Sequence, residues 1–175
     1  MGVSREVELK LVFDPADRDR LCAAAPFSAF AAPTRQQLAA TYFDTPDEAL
    51  RDAGFSLRLR REDERQVQTI KAAGCAAGLF VRPEWERVVE GDAPVLDPVD
   101  DPLHAVLGPA PLEGLVPLSH TVVLREKRVV SWEDTRLEIA IDSGELIAGD
   151  RREALCELEL ELLSGDAGVL FVVAR

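Results

Sequence analysis

The sequence predicts an antiparallel α+β or barrel-like domain, and two observations carry that expectation. Eight or nine short segments alternate with period two, placing Leu, Ile, Val or Phe on one parity and charge on the other. Helical signals are few and short, and they lie between the strand-rich stretches. A chain of 175 residues with 47% hydrophobic and 30% charged content can bury a sizeable core. We therefore take residues 1–175 as a single domain.

The first strand covers residues 5–13, where Val7, Leu9 and Leu11 alternate with Glu6, Glu8 and Lys10. Asp14-Pro15 turns the chain into a short helix over 15–24, and an Ala/Pro-rich loop follows. A second strand is predicted over 36–43. Thr45-Pro46-Asp47 opens a helix that Gly54 ends. Phe55, Leu57 and Leu59 then oppose Ser56, Arg58, Arg60 and Glu62, and after the turn at Asp63-Glu64 residues 65–71 form the hairpin partner. Residues 72–79 read as a flexible Gly/Ala-rich loop. Residues 81–90 form another strand, in which Pro83 predicts an edge or a distortion. The Pro/Asp/Gly-rich stretch 91–117 holds one or two short helices around the apolar residues 103–107. Strands resume at 121–131, 135–142, 145–148 and 154–163. The tail 169–173 is β-branched enough for a strand, yet Gly-Asp-Ala-Gly before it equally suits a helix entry.

Composition excludes several functions. Twenty basic residues against thirty-two acidic ones give a net charge of −12, the wrong sign for a general binder of nucleic acid or anionic membrane. The opening MGVSREVELK is not a signal peptide, Glu6 stands where myristoylation wants Ser or Thr, and no apolar run approaches the ~18 residues of a membrane span. Cys22, Cys75 and Cys156 form no CxxC pair and read as buried thiols of a reducing compartment. A cytoplasmic protein is expected. His104 and His120 lie outside any catalytic pattern, there is no GxSxG elbow, and the 74–78 spacing lacks a P-loop lysine. Trp85 and Trp132 read as packing residues.

The charged parity carries the chemistry. Any one such face is ordinarily a solvated surface, but here nearly every strand has one. A closed sheet with those faces inward is a polar tunnel whose apolar outside needs helices as cover. Its basic lining is Lys10, Arg58, Arg60, Lys71, Arg125 and Lys127, which includes all three lysines of an otherwise arginine-biased chain. Its acidic lining is Glu6, Glu8, Glu84, Glu86, Glu138, Asp142, Glu157, Glu159 and Glu161. Crowded carboxylates protonate unless cations intervene, and oxygen-ligated Mg²⁺ or Mn²⁺ suits them. Six cations beside them match a polyphosphate. Together these are the parts of metal-assisted phosphoryl transfer to water.

The chain resembles the CYTH domains, or triphosphate tunnel metalloenzymes, and in particular the bacterial inorganic triphosphatases in which a helical CHAD domain follows. The resemblance rests on EVELK at 6–10, YFDT at 42–45, LRLRRE at 57–62, REK at 125–127, LEIAIDSGEL at 137–146 and CELELELLSGD at 156–166. It implies an antiparallel eight-stranded β-barrel with a charged interior and short helices outside. It also implies hydrolysis of linear inorganic triphosphate to pyrophosphate and phosphate by metal-activated water, with inorganic triphosphate or polyphosphate and a divalent metal as partners. Matching positions assign the six basic residues to phosphate oxygens, with Lys10 also catalytic. Glu6, Glu8, Glu157, Glu159 and Glu161 fall to the metal. Glu84, Glu86, Glu138 and Asp142 fall to catalysis, as further ligands or by orienting the cations and the water. The alternatives are a polyphosphate-binding module without turnover, or a class IV-type adenylate cyclase or thiamine triphosphatase on the same fold. A C-terminal CHAD domain is a further expected partner.

Overall fold

The computed structural model describes residues 2–24, 27–29, 32–62, 64–76, 79–99 and 101–175. Asp63 of the expected turn and residues 77–78 of the expected flexible loop lie outside them. Strands β1 (Gly2–Val12), β2 (Thr34–Asp44), β3 (Phe55–Glu62), β4 (Arg65–Ala72), β6 (Leu79–Val89), β7 (Val116–Trp132), β8 (Thr135–Ala148) and β9 (Arg151–Ser164) make one antiparallel sheet. Around the sheet the order is β1-β9-β8-β7-β2-β3-β4-β6, and β6 pairs back onto β1. The ring is therefore closed and its eight strands have no free edge. The short β5 (Cys75–Ala76) pairs onto β6 inside the stretch expected to be a loop.

Period-two alternation places two chemistries on the two faces of this barrel, and the apolar core lies outside it in two pieces. One packs Leu9, Leu137, Ile139, Ile141, Leu158 and Leu160 under α5 (Gly168–Val173). The other packs Phe43, Leu57, Leu59 and Ile70 under α2 (Ala49–Asp52), α3 (Pro102–Leu107) and α4 (Pro109–Leu112) through Leu50, Leu103 and Leu112. The remaining helix, α1 (Arg18–Ala23), follows a 3-10 turn at Pro15–Asp17. It is tied to the barrel wall by Glu126, an outward residue of β7 that is only 4% exposed and binds both Arg18 and Arg35.

Four local expectations are resolved or corrected. The tail is a helix: Leu170 and Val173 both enter the first core, and a spacing of three brings them to one side only in helical geometry. Strands 135–142 and 145–148 are one strand, continuous through Gly144, where a Cβ would lie 2.0 Å from the Val122 carbonyl oxygen. Helix α2 starts at Ala49 because Asp44 and Thr45 cap it. Asp44 accepts the N–H groups of Leu50 and Arg51, and Thr45 Oγ1 accepts that of Ala49. Strand β6 is not an edge. At Pro83 itself, though, the expected local interruption is present: Pro83 pairs with Arg5 of β1 on one side, while on the other the ladder breaks between the last β4 pair (Lys71 with Glu84) and the first β5 pair (Cys75 with Phe80).

Candidate active site in the tunnel

The barrel interior holds a cavity of about 410 Å³. All six expected cations line it: Lys10 from β1, Arg58 and Arg60 from β3, Lys71 from β4, Arg125 and Lys127 from β7. Glu6, Glu84, Glu86, Glu138, Glu159 and Glu161 line it as well. Asp142 and Glu157 instead line a smaller adjoining space that shares Lys10, Arg58, Arg60, Arg125 and Glu159. Glu8 lines neither space; it shares the inward face of β1 with Glu6 and Lys10 but is only 3% exposed, with the lining Arg82 bonded to it.

Register explains who meets whom. Opposite residues of neighbouring strands share a face. Thus Lys10 faces Glu159, Arg125 faces Asp142, Asp142 faces Glu157, and Lys71 faces Glu84. Arg125 forks onto Asp142, with Nε 2.7 Å from Oδ1 and Nη2 2.6 Å from Oδ2, and the same Nη2 lies 2.6 Å from Glu159 Oε2. Lys10 Nζ lies 2.7 Å from Glu159 and 3.2 Å from Glu157. Lys127 reaches Glu138 at 3.2 Å. Across the tunnel, Lys71 Nζ donates to both oxygens of Glu6 at 2.8 Å and lies 3.4 Å from Glu84. Glu86 accepts from Thr69 Oγ1 at 3.1 Å.

Arg82 is a site residue absent from the sequence expectations. Its Nε lies 3.1 Å from Glu6 and its Nη2 2.5 Å from Glu8, and its guanidinium stands 5.0 Å from the centre of the Phe80 ring. The signal was available, because Arg82 shares parity with Glu84 and Glu86; the intervening Pro83 obscured it. Tyr42, Ser56 and Thr69 also line the cavity.

The electrostatics divide the lining. Burial pushes the Glu159 carboxyl up, but Arg125, Lys10 and Arg58 overcome it and hold it at about 2. Burial and the carboxylates Glu6, Glu138, Glu8 and Glu84 push Glu161 up to about 7. Glu8 and Glu84 are raised, chiefly by burial, while Lys71 and Arg82 keep Glu6 below its ordinary value against burial. Burial and the charge of Arg58 lower Arg60. The buried Nε of Arg58 and of Arg60 has no hydrogen-bond partner among the described residues, although Arg60 pairs with Glu62 through Nη2.

Asp142, Glu157 and Glu159 each offer an oxygen, all within 4.8 Å of one another. An all-oxygen carboxylate set fits a hard divalent cation. Glu6 and Glu8 meet Arg82, and Glu6 also meets Lys71. The lining thus offers cations for an anion's oxygens beside carboxylates for a metal.

The CYTH domain profile matches residues 4–175. The inorganic triphosphatase of Haemophilus influenzae is 33% identical over 138 residues, which are 75% of this chain and 37% of that protein. The chain thus spans little more than a third of that relative's length. Two solved structures share the fold. A candidate adenylate cyclase from Bacillus halodurans has a TM-score of 0.68 and 17% identity, covering 99% of this chain and 88% of that one. A candidate adenylyl cyclase from Hippeastrum, described as having a dominant triphosphatase activity, has a TM-score of 0.64 and 18% identity, covering 97% and 84%.

Proposed function

The chain belongs to the CYTH domain family, and we propose that its tunnel hydrolyses inorganic triphosphate to pyrophosphate and phosphate. The observation that carries this reading is one cavity lined by all six expected cations, two of them arginines with an unpartnered buried Nε. A small, multiply charged anion supplies the missing acceptors, and the Haemophilus relative acts on one.

Lys10, Arg58 and Arg125 hold the oxygens of the phosphoryl group that reacts, and Arg60, Lys71 and Lys127 hold the rest of the chain. Because Lys10, Arg60, Lys71, Arg125 and Lys127 are already held by carboxylates, they stabilise developing charge with little rearrangement. Asp142, Glu157 and Glu159 would hold Mg²⁺ or Mn²⁺, with Glu6, Glu8 and Glu161 as further donors. When bound, such an ion neutralises phosphate charge and acidifies water. Glu84, Glu86 and Glu138 orient Lys71, Thr69 and Lys127. No helix among the described residues is long and apolar enough to cross a membrane, and the free thiols of Cys22 and Cys156 suit a reducing cytoplasm.

Phosphate release from tripolyphosphate, ATP, thiamine triphosphate and long polyphosphate, each with Mg²⁺, Mn²⁺ or EDTA, tests the proposal. Chelator-sensitive release from tripolyphosphate alone is expected. No release, with tripolyphosphate still raising the melting temperature, would replace hydrolysis by binding or by cyclase chemistry.

A further inference from the structure

One cation of the lining has no task in the hydrolase reading. Arg82 reaches the cavity from β6, and both of its carboxylate partners, Glu6 and Glu8, stand on β1. Register explains the arrangement. Glu6 lies directly opposite Arg82, whereas Glu8 lies opposite Phe80, whose ring offers no hydrogen-bond donor. Arg82 shares the parity of Phe80 and leans over that ring, with the guanidinium 5.0 Å from its centre. From there Nε stays 3.1 Å from Glu6 while Nη2 reaches Glu8 at 2.5 Å. One planar fork thus bridges two carboxylates at successive inward positions of one strand, the kind of pair that also suits a hard divalent cation. The two glutamates depend on it unequally. Glu6 also accepts from Lys71 Nζ through both oxygens, each at 2.8 Å. Glu8 is buried, and Arg82 is its one hydrogen-bond or ion-pair partner among the described residues. Removing the partner of a charge so deeply buried is costly, so whatever takes Arg82 away has to replace it.

We infer that Arg82 is the resident counter-ion of the Glu6–Glu8 pair. It holds the two carboxylates in place while they carry no metal, and its guanidinium has to leave them before they take a divalent cation. Arg82 thereby sets the metal affinity of this side of the tunnel. It is a positioning residue, because it acts through the two glutamates. The inference rests on the hydrolase reading for the assignment of Glu6 and Glu8 to a metal, and it adds the group that competes for them.

Titrating the chain with Mn²⁺ alone, with no anion present, and following free Mn²⁺ by electron paramagnetic resonance tests this. Arg82→Gln removes the competing charge, and its dissociation constant for Mn²⁺ is expected to fall about tenfold below wild type. Arg82→Lys keeps a charge but not the fork, and should stay within about threefold of wild type. Adding Glu8→Gln to Arg82→Gln should abolish the gain, which assigns it to this pair rather than to Asp142, Glu157 and Glu159. A folded Arg82→Gln chain that binds Mn²⁺ no more tightly than wild type overturns the inference. So does a gain that survives Glu8→Gln. If Arg82→Gln does not fold, Phe80→Leu decides, because it removes the ring beneath the guanidinium and leaves every charge in place. That variant should bind Mn²⁺ about threefold more tightly, and an unchanged constant overturns the inference. Each of these results leaves the hydrolase reading standing, whereas inertness toward tripolyphosphate sinks that reading and leaves the Mn²⁺ constants as they are.

Discussion

Glu159 and Glu161 stand two residues apart on β9, both face the tunnel, and burial raises both, yet they end up on opposite sides of the ordinary carboxylate value. Glu159 sits among Arg125, Lys10 and Arg58 and is held at about 2, whereas Glu161 sits among Glu6, Glu138, Glu8 and Glu84 and is pushed up to about 7. Residue type is the same and Glu159 is the more deeply buried, which alone would raise it further than Glu161, so the neighbours across the ring decide. The barrel therefore has a cationic neck around Glu159 and an acid-rich wall around Glu161. The first suits holding an anion and the second suits exchanging a proton.

The comparison breaks most completely at the neck. Glu157→Gln with Glu159→Gln removes two of the three clustered carboxylates, and metal-dependent release of phosphate from tripolyphosphate should fall by about 10³-fold or more. An unchanged circular dichroism spectrum would show that the barrel persists, and unchanged activity would refute the assignment of these two residues. Arg58→Ala should come next, lowering kcat/KM by about 10²–10³-fold through loss of a preorganised cation. Steady-state kinetics with kcat and KM unaltered would take Arg58 out of the site.

The smallest effect sharpens the contrast through pH. Glu161 binds its proton more tightly when folded, so its contribution to stability is present at acid pH and is lost as pH rises from its unperturbed 4.5 through about 7. Glu161→Gln removes that slope. Its melting temperature should therefore gain on wild type by a few degrees between about pH 5 and about pH 8. Glu159 behaves in the opposite sense: its contribution is present above 4.5 and lost as pH falls toward about 2. Glu159→Gln should lose ground to wild type as pH rises from about 3 to about 6 in the same melting series. Parallel curves for the two variants would mean that their surroundings do not differ as described.

Most of the barrel was legible because each of its faces has one fixed neighbour, tunnel or helix, and a fixed neighbour prints a period-two signal in Val7, Leu9 and Leu11 against Glu6, Glu8 and Lys10. The tail was not legible, since Val169 to Val173 satisfies both periods locally and only the burial of Leu170 with Val173 against β1, β8 and β9 separates them. The closeness of Asp142, Glu157 and Glu159 was hidden for another reason. It depends on β8–β9 register, which period two leaves free by any even number of residues. Arg82 shows a third kind of loss, a proline beside it that argues locally against the strand while the ladder tolerates it.

Closure of the ring by β1 orders events in time as well as space. The first strand of this chain to leave a ribosome hydrogen-bonds to β6 and to β9, the latter nearly 150 residues later at Lys10 opposite Glu159. Until β9 arrives, β1 has at most one neighbour and Glu8, Leu9 and Lys10 lack half their surroundings. Contacts so distant in sequence make for slow, late completion, and the half-built sheet exposes unpaired strand edges meanwhile. The charged lining is thus among the last features to form, and a chain stalled before β9 can carry most of its strands and still have no tunnel.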